Sequence, residues 1–564
     1  MGLRRYTASA DNTIVNAFQP NMTTRGTGAN CGEADILEAF SIYGRETTYG
    51  PESAAVSAAT SSQELSRILI QFPIEQLSAD RSSGAIPKTG SVSFYLRMFN
   101  AQHSKTVPRD FKMVALAVSR SWDEGTGLDL ESYKDLVQGS KSGSNWMICA
   151  SGTKWDMVGG DYRTGSSHSS DAGKNPIYTQ TMTTGLEDIE IDITALVELW
   201  MAGTVGNYGL GVHLTASFEA YASGSASLTL PRPERPFLDS GSVIHNPDGA
   251  KTSYYTKRFF ARGTEFFFKR PVIEARWDSV RRDDRGEFYY SSSLAAGDDN
   301  RNVLFFYNYI RGRLTDIPGL GNVAGEKGKI SVSLYSGSAD NSGPSGSKLQ
   351  LSITDDGLGA GGVIAAKALN ATGGWYKTGI YTCSLALTSS SQTAAPLTLY
   401  DVWHTASTST GIVTELFTGS IETKRFSGHA DIRDPTYYLN ITNLRTRYYP
   451  NDRNVRFNLY VREKNWSPTI YTKATSTAPS ISMMSASYRV YRTLDGYEAI
   501  KYGTGSNFST GLSHDVSGNY FDFDMKLLEP GYEYAFKFAF YDSELKSWNE
   551  QDEKFKFRVE DYEY

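Results

Sequence analysis

Ser91-Val92-Ser93-Phe94-Tyr95-Leu96-Arg97-Met98-Phe99 alternates in side-chain character along its length. Val92, Phe94, Leu96 and Met98 fall on one face, which is the pattern of a half-buried β-strand. Ile189-Glu190-Ile191-Asp192-Ile193 repeats the alternation. Arg67–Phe72 is an apolar run that stops at Pro73. Further strand signals lie at Lys112–Val118, Leu210–Thr215, Val303–Tyr309, Lys329–Tyr335, Gly379–Leu387 and Leu397–Trp403. Others follow at Arg456–Val461, Ala486–Tyr491, Tyr534–Tyr541 and Lys554–Val559. Clusters of Gly, Ser, Asn and Asp separate them, as tight turns require. Helical periodicity is scarce; Ala195–Met201 is the one short candidate, with Leu196, Leu199 and Trp200 on one side.

Many short strands with turn chemistry between them predict an all-β chain of β-sandwiches. At 564 residues the chain exceeds a single core and suits several domains. Hydrophobic residues make up 40% and aromatics 13%, enough for each domain to bury its own core. Two polar breaks, Arg281–Gly286 and Ser427–Pro435, predict three sandwiches over 1–279, 280–426 and 427–564. Ser336–Ser347 and Asp355–Gly362 are Gly/Ser/Asp-rich and read as long hairpin loops.

The formal net charge is -6, which weighs against nucleic acid as a partner, since phosphate binding needs a basic surface. No apolar run is long enough to span a bilayer, and no apolar core of a signal peptide follows Arg4-Arg5. The expectation is a chain made in a cytoplasm and carried out of the cell by some other route. Cys31, Cys149 and Cys383 are far apart and form no metal or disulfide framework.

Catalytic patterns are missing. The seven histidines fall in no H-x-H, H-E-x-x-H or Cys/His cluster, and no G-x-S-x-G or phosphate loop occurs. Carboxylate pairs stand at Asp123-Glu124, Glu187-Asp188 with Glu190 and Asp192, and Asp522 with Asp524. In Glu190/Asp192 and Asp522/Asp524 the acids alternate with apolar residues, which places them on the solvent face of strands. The reading is therefore non-enzymatic and without a cofactor. A structural calcium ion in the first part is the alternative its oxygen ligands offer. Trp122, Trp146, Trp155 and Trp200 have two readings, core packing or a sugar-stacking platform. Trp122 and Trp200 adjoin apolar strands, which favours packing.

The order of motifs in the first part resembles the DNRLRE-type domain, a jelly-roll sandwich related to carbohydrate-binding modules. Asp11-Asn12-Thr13-Ile14 opens it, and Gly26–Gly32 leads to Ile36-Leu37. Ser66–Phe72 and Ser91–Leu96 supply strands, and Ser121–Glu124, Trp155 and Gly159-Gly160 follow. Ile191–Thr194 running to Trp200, Asn207–Leu210 and Arg270–Glu274 complete the order. The last part is similar to a fibronectin type III or immunoglobulin-like sandwich on Leu528-Glu529-Pro530-Gly531-Tyr532-Glu533-Tyr534. That resemblance implies that Tyr534 is a corner tyrosine bonded back to the backbone. The whole arrangement resembles structural proteins of marine contractile-tailed phages. It implies a protein on the outside of the virion, decorating or joining neck, collar, tail or baseplate. Its partners would be other virion proteins (portal or neck, tail, baseplate) and further copies of itself around a symmetry axis, with no nucleic acid or membrane. The alternative is a carbohydrate-binding adhesin or receptor-binding protein that contacts a host surface glycan.

Overall fold

The computed structural model describes residues 1–19, 25–46, 60–103, 107–128, 143–164, 176–222, 243–291, 300–320, 327–338, 340, 343–351, 353–354, 369–387, 398–406, 413–424, 436–464, 480–504, 508–542 and 545–561. It is all-β, with several sheets and two short α-helices among the described residues. Two compact units divide the chain: Leu3–Trp277, and Asp278–Tyr564 together with Met1–Gly2. The expected boundary at Ser427–Pro435 and the loop Asp355–Gly362 lie outside the described residues.

The first unit contains β1 (Leu3–Thr7), β2 (Ala10–Val15), β3 (Ile36–Glu46), β4 (Thr60–Gln71), α1 (Ile74–Ser82), β5 (Ser93–Met98), β6 (Phe111–Ala117), β7 (Ile148–Ala150) and β8 (Thr153–Lys154). It continues through β9 (Ile177–Met182), β10 (Ile189–Asp192), α2 (Thr194–Met201), β11 (Leu210–Leu214), β12 (Tyr254–Phe260) and β13 (Val272–Arg276). A four-stranded sheet runs β1-β13-β5-β10. A seven-stranded sheet runs β12-β3-β4-β11-β6-β9, with β2 paired to β4. Phe94, Leu96 and Met98 of β5 and Ile189 and Ile191 of β10 point into the core between the sheets. The polar half of each alternation lies on the opposite face, where Arg97 of β5 is itself buried.

The unbroken apolar run of β4 has a different cause. Ile68 and Ile70 join the core between the sheets, whereas Leu65 and Leu69 pack on the other face with Trp122, Trp146 and Trp155. A strand covered on both faces has no solvent side to keep polar. Ala195–Met201 lies within α2, whose buried side chains are Leu196, Val197 and Trp200. Leu199, expected on the buried stripe, is only partly buried. The first helix escaped the sequence reading because it buries just Ile74 and Leu77. Its end markers are clear in retrospect: Pro73 before it, Glu75 in the first turn and Arg81 in the last. Arg81 grips Glu198 of α2 through two 2.6 Å bonds.

The second unit opens with β14 (Phe288–Tyr289), β15 (Asn302–Tyr307), β16 (Tyr309–Ile310), β17 (Arg313–Leu314), β18 (Lys327–Gly337), β19 (Ile353–Thr354), β20 (Ala371–Lys377), β21 (Ile380–Ala386), β22 (Thr398–Ala406) and β23 (Val413–Lys424). These form one path, β14-β23-β22-β18-β20-β21-β15, with β19 beside β21 and a separate β16-β17 hairpin. The path folds over a single core: Phe288 from one end and Leu304 and Phe306 from the other meet in it. Asn302 joins the two ends, accepting from Tyr289 N at 3.0 Å and donating to Tyr289 O at 2.9 Å. Of the loop Ser336–Ser347, the ends are pinned by Gly346 N donating to Ser336 O at 2.9 Å.

The last sandwich holds β24 (Tyr437–Ile441), β25 (Arg447–Tyr448), β26 (Val455–Glu463), β27 (Ala486–Arg492), β28 (Glu498–Ile500), β29 (Ser513–Asp515), β30 (Gly518–Phe523), β31 (Glu533–Asp542), β32 (Ser547–Glu550) and β33 (Phe555–Val559). Its sheets run β24-β26-β30-β29 and β25-β33-β31-β27-β28, with β32 beside β31. Aromatic rings fill the space between them, among them Tyr488 on Phe521 and Phe536 on Phe557. The Tyr534 hydroxyl donates to Glu529 O at 2.8 Å, closing the corner before β31.

The charged stretch Arg281–Gly286 is also a clamp within this unit. Asp283 N donates to His514 O at 3.1 Å and His514 N to Arg281 O at 3.0 Å, so the stretch lies beside β29. Arg281 also reaches Asp522 at 2.8 Å. Four residues on, Arg285 forks onto Asp401 of β22 at 2.5 and 2.6 Å. One short segment is thereby bonded to both sandwiches of the unit.

Candidate functional site

The four tryptophans singled out in the sequence are all buried, with Trp146 fully so. Trp122, Trp146 and Trp155 line the outer core of the seven-stranded sheet, and Trp200 belongs to the inner one. Trp122 Nε1 donates to Tyr208 O and Trp155 Nε1 to Asn145 O. A sugar must lie flat on an open ring face, and these rings offer none. The stacking alternative for these residues is therefore set aside in favour of packing. Tertiary structure decides this, because the described residues between β6 and β9 pack over β4 and bring three of the rings with them.

Several of the histidine and carboxylate candidates are bound up in internal bonds, while His168 and His429 lie outside the described residues. His213 lies beside Glu219 and Arg67, all buried. Arg67 donates to both Glu219 oxygens at 2.8 and 2.7 Å, and His213 Nδ1 sits 3.4 Å from Glu219 Oε1. Burial raises the Glu219 pKa, but Arg67 and then His213 outweigh it and hold it at about 2. Burial and Arg67 both lower the His213 pKa, so the ring is neutral near pH 7. With no open face, the cluster is a cross-link between β4, β11 and the loop after it.

Glu124 is gripped by Arg262 through two 2.7 Å bonds and accepts from Asp11 N at 2.7 Å. Asp11 accepts from Arg262 N at 2.6 Å. Asp188 accepts from Asn100 N, and Asp192 accepts from the Thr194 N–H and hydroxyl at the start of α2. Asp524 accepts from Lys526 N. Among the described residues no group of three His, Cys, Asp or Glu could hold a metal ion. All three cysteines are buried.

Asp11 is the titratable group most open to test. Burial raises its pKa to about 7, with the Arg262 N–H pulling the other way. The folded protein thus prefers the neutral acid. The stability this supplies is fully present below the ordinary value near 3.8 and is lost as pH rises through about 7. Asp11→Asn keeps an acceptor for Arg262 N and removes the titration. Its stability relative to wild type is expected to rise by about 2–4 kcal/mol between pH 4 and pH 8. Urea melts at the two pH values measure this, and equal differences at both would refute it.

One concave surface carries exposed aromatic area. A shallow pocket of about 370 Å³ is lined by Asp35, Ile36, Phe260, Gly263, Thr264, Glu265 and Phe266. Phe266 is 53% exposed and stands edge-on to Phe260, with ring centroids 5.4 Å apart. The turn after β12 holds it in place: Ala261 N donates to Asp35 O at 2.8 Å, and Arg270 Nε donates to Thr264 O at 3.1 Å. An open ring next to two exposed carboxylates suits a polyhydroxylated ligand, with the ring taking C–H faces and the acids accepting from hydroxyls. Sequence reading passed over this pocket. Its signal was the phenylalanine-dense run Phe259–Phe268 broken by Gly263-Thr264, but which of those rings is exposed depends on the turn.

No family model matches the chain, and no curated protein matches it. Among solved structures it is similar to a DUF4785 family protein from Legionella pneumophila, with 9% identity over 98% of this chain and 91% of that one. The TM-score is 0.13, so this likeness carries no argument about fold or function.

Proposed function

We propose that the protein is a non-enzymatic structural component of a bacteriophage particle, mounted outside on the neck, collar, tail or baseplate and held by protein–protein contacts. The observation that most supports this reading is how the buried charges are used. Arg67–Glu219, Arg285–Asp401 and Glu274 with its arginines are closed cross-links that tie strands to one another or to the segments beside them. Each unit braced in this way is a rigid building block, and its open sheet edges are suited to side-by-side assembly. The resemblance of its opening motifs and domain series to phage structural proteins points the same way. Quantitative mass spectrometry of purified particles, combined with cross-linking, tests it. A copy number matching a symmetric ring, with cross-links to portal, neck, tail or baseplate proteins, is expected. Absence from particles removes the reading.

The Phe266 pocket favours a second reading, a carbohydrate-binding adhesin or receptor-binding protein. Under it, Phe266→Ala lowers glycan affinity by about tenfold or more, since one stacked ring contributes on the order of 1.5 kcal/mol. Titration against a glycan panel decides this. Binding unchanged by the substitution, or no binding by the wild type, refutes it.

A further inference from the structure

The β16-β17 hairpin is a small element with a large exposed tip. Tyr309 is 61% and Ile310 48% exposed. Tyr309 pairs with Leu314 and Ile310 with Arg313, which leaves Arg311 and Gly312 as the two-residue turn. Both have positive φ, 51° and 75°. Such a turn favours Asn, Asp or Gly at its first position, and a long side chain there carries backbone strain. Arg311 therefore occupies a position that the turn alone does not select for. Arg311 and Arg313 are exposed and form no ion pair among the described residues. The base of the hairpin is stiffly held. Asn308 donates to Thr315 O at 2.6 Å through its side chain and to Gly379 O at 2.7 Å through its backbone. Gly379 N in turn donates to Asp316 at 2.6 Å. A rigid, cationic, apolar tip loses little entropy on docking.

The first unit carries a surface of opposite character. Its two larger sheets end on the same flank, in edge strands β9 and β10. Gln180 ties them, donating to Asp188 O at 2.8 Å and accepting from Glu190 N at 3.0 Å. Ile177 is 54% and Leu186 56% exposed on this flank. Asp188 and Asp192 are exposed and form no ion pair among the described residues. The flank is thus acidic with apolar points, as the tip is basic with apolar points.

We propose that the β16-β17 hairpin of one copy docks on the β9/β10 flank of a second copy. The contact is heterologous: the two surfaces differ, so repetition generates a ring or a filament. This deepens the assembly reading by naming a partner, but its test needs only the purified full chain.

Sedimentation velocity over a wide concentration range is the experiment. Wild type is expected to self-associate at low salt and to weaken at about 1 M salt, where the screening length falls to about 3 Å. Arg311→Glu with Arg313→Glu is expected to weaken association by about 30-fold or more. Asp188→Asn with Asp192→Asn, which keeps the side-chain acceptors, should weaken it too. Mixing the two double variants should give a dimer that grows no further, because one intact hairpin then meets one intact flank. Circular dichroism melts confirm that each variant is folded. A monomeric wild type, association indifferent to the hairpin charges, or no dimer in the mixture overturns the proposal. Hairpin cross-links only to a different protein, with the isolated chain monomeric, also overturn it. Self-association by a chain absent from particles would instead remove the virion reading and leave this one standing.

Discussion

Glu274→Gln is expected to destabilise the first unit by about 3–5 kcal/mol, the range for removing one partner of a buried charge cluster. Glu274 lies on β13 and is 2% exposed. Arg5 of β1 donates to it at 2.8 Å, Arg276 at 2.7 Å, and Arg97 of β5 stands 3.5 Å away. Burial raises its pKa, but Arg5, Arg97 and Arg276 outweigh this and hold it at about 2. Glutamine keeps the shape but removes the buried charge that three guanidiniums share, and Arg97 and Arg276 keep only the more exposed Glu190. The same linkage sets a pH window. The folded value lies below the ordinary 4.5, so the stabilisation is present above that value and is lost as pH falls through about 2. Wild type should therefore lose about 3 kcal/mol on acidification that the glutamine variant does not. Denaturant melts, with hydrogen exchange of β1, β5 and β13 as the local readout, measure both. A loss under 1 kcal/mol at neutral pH would mean that water solvates the arginines.

Asp401→Asn is expected to cost the second unit a similar amount, about 3–5 kcal/mol. Asp401 is fully buried on β22. It receives both Arg285 nitrogens and also the Trp403 indole N–H at 2.7 Å. Gly419, opposite it on β23, leaves the room: a Cβ there would collide with the Arg285 guanidinium. Asparagine can accept one guanidinium bond but turns an N–H donor toward the other nitrogen. The clamp 281–286 then loses its hold on the middle sheet while its ladder beside β29 survives. Exchange protection should fall in β22 and β23 and around Arg285, and remain in β30 and β31. Protection falling equally everywhere would show that the clamp is not a local element.

These two sites show where sequence reading stops. Each is a lone acid in a strand, and nothing adjacent in the chain marks it as buried. Glu274 sits in Val272-Ile273-Glu274-Ala275-Arg276, which alternates like any surface strand. Its burial comes from arginines on two neighbouring strands, one of them 269 residues away. The same logic explains the tryptophans. Their indole rings announce a core or a platform equally well, and only the packing of the described residues between β6 and β9 over β4 chooses. The Phe266 pocket is the reverse case, in which an ordinary-looking apolar residue is left exposed by a turn.

The sequence by itself determined the β character and marked many of the strands, among them β5, β6, β11, β21, β27 and β31, because side-chain alternation and turn chemistry are local properties set by backbone geometry; it passed over others such as β3, β12 and β23. It marked α2 through a short apolar stripe and the corner at Tyr534 through a compact motif. Tertiary structure alone decided which strand faces are covered twice, which charges meet, and which aromatic rings remain open. Those depend on pairings between residues far apart in the chain, and a single sequence carries no local trace of the partner across the sheet.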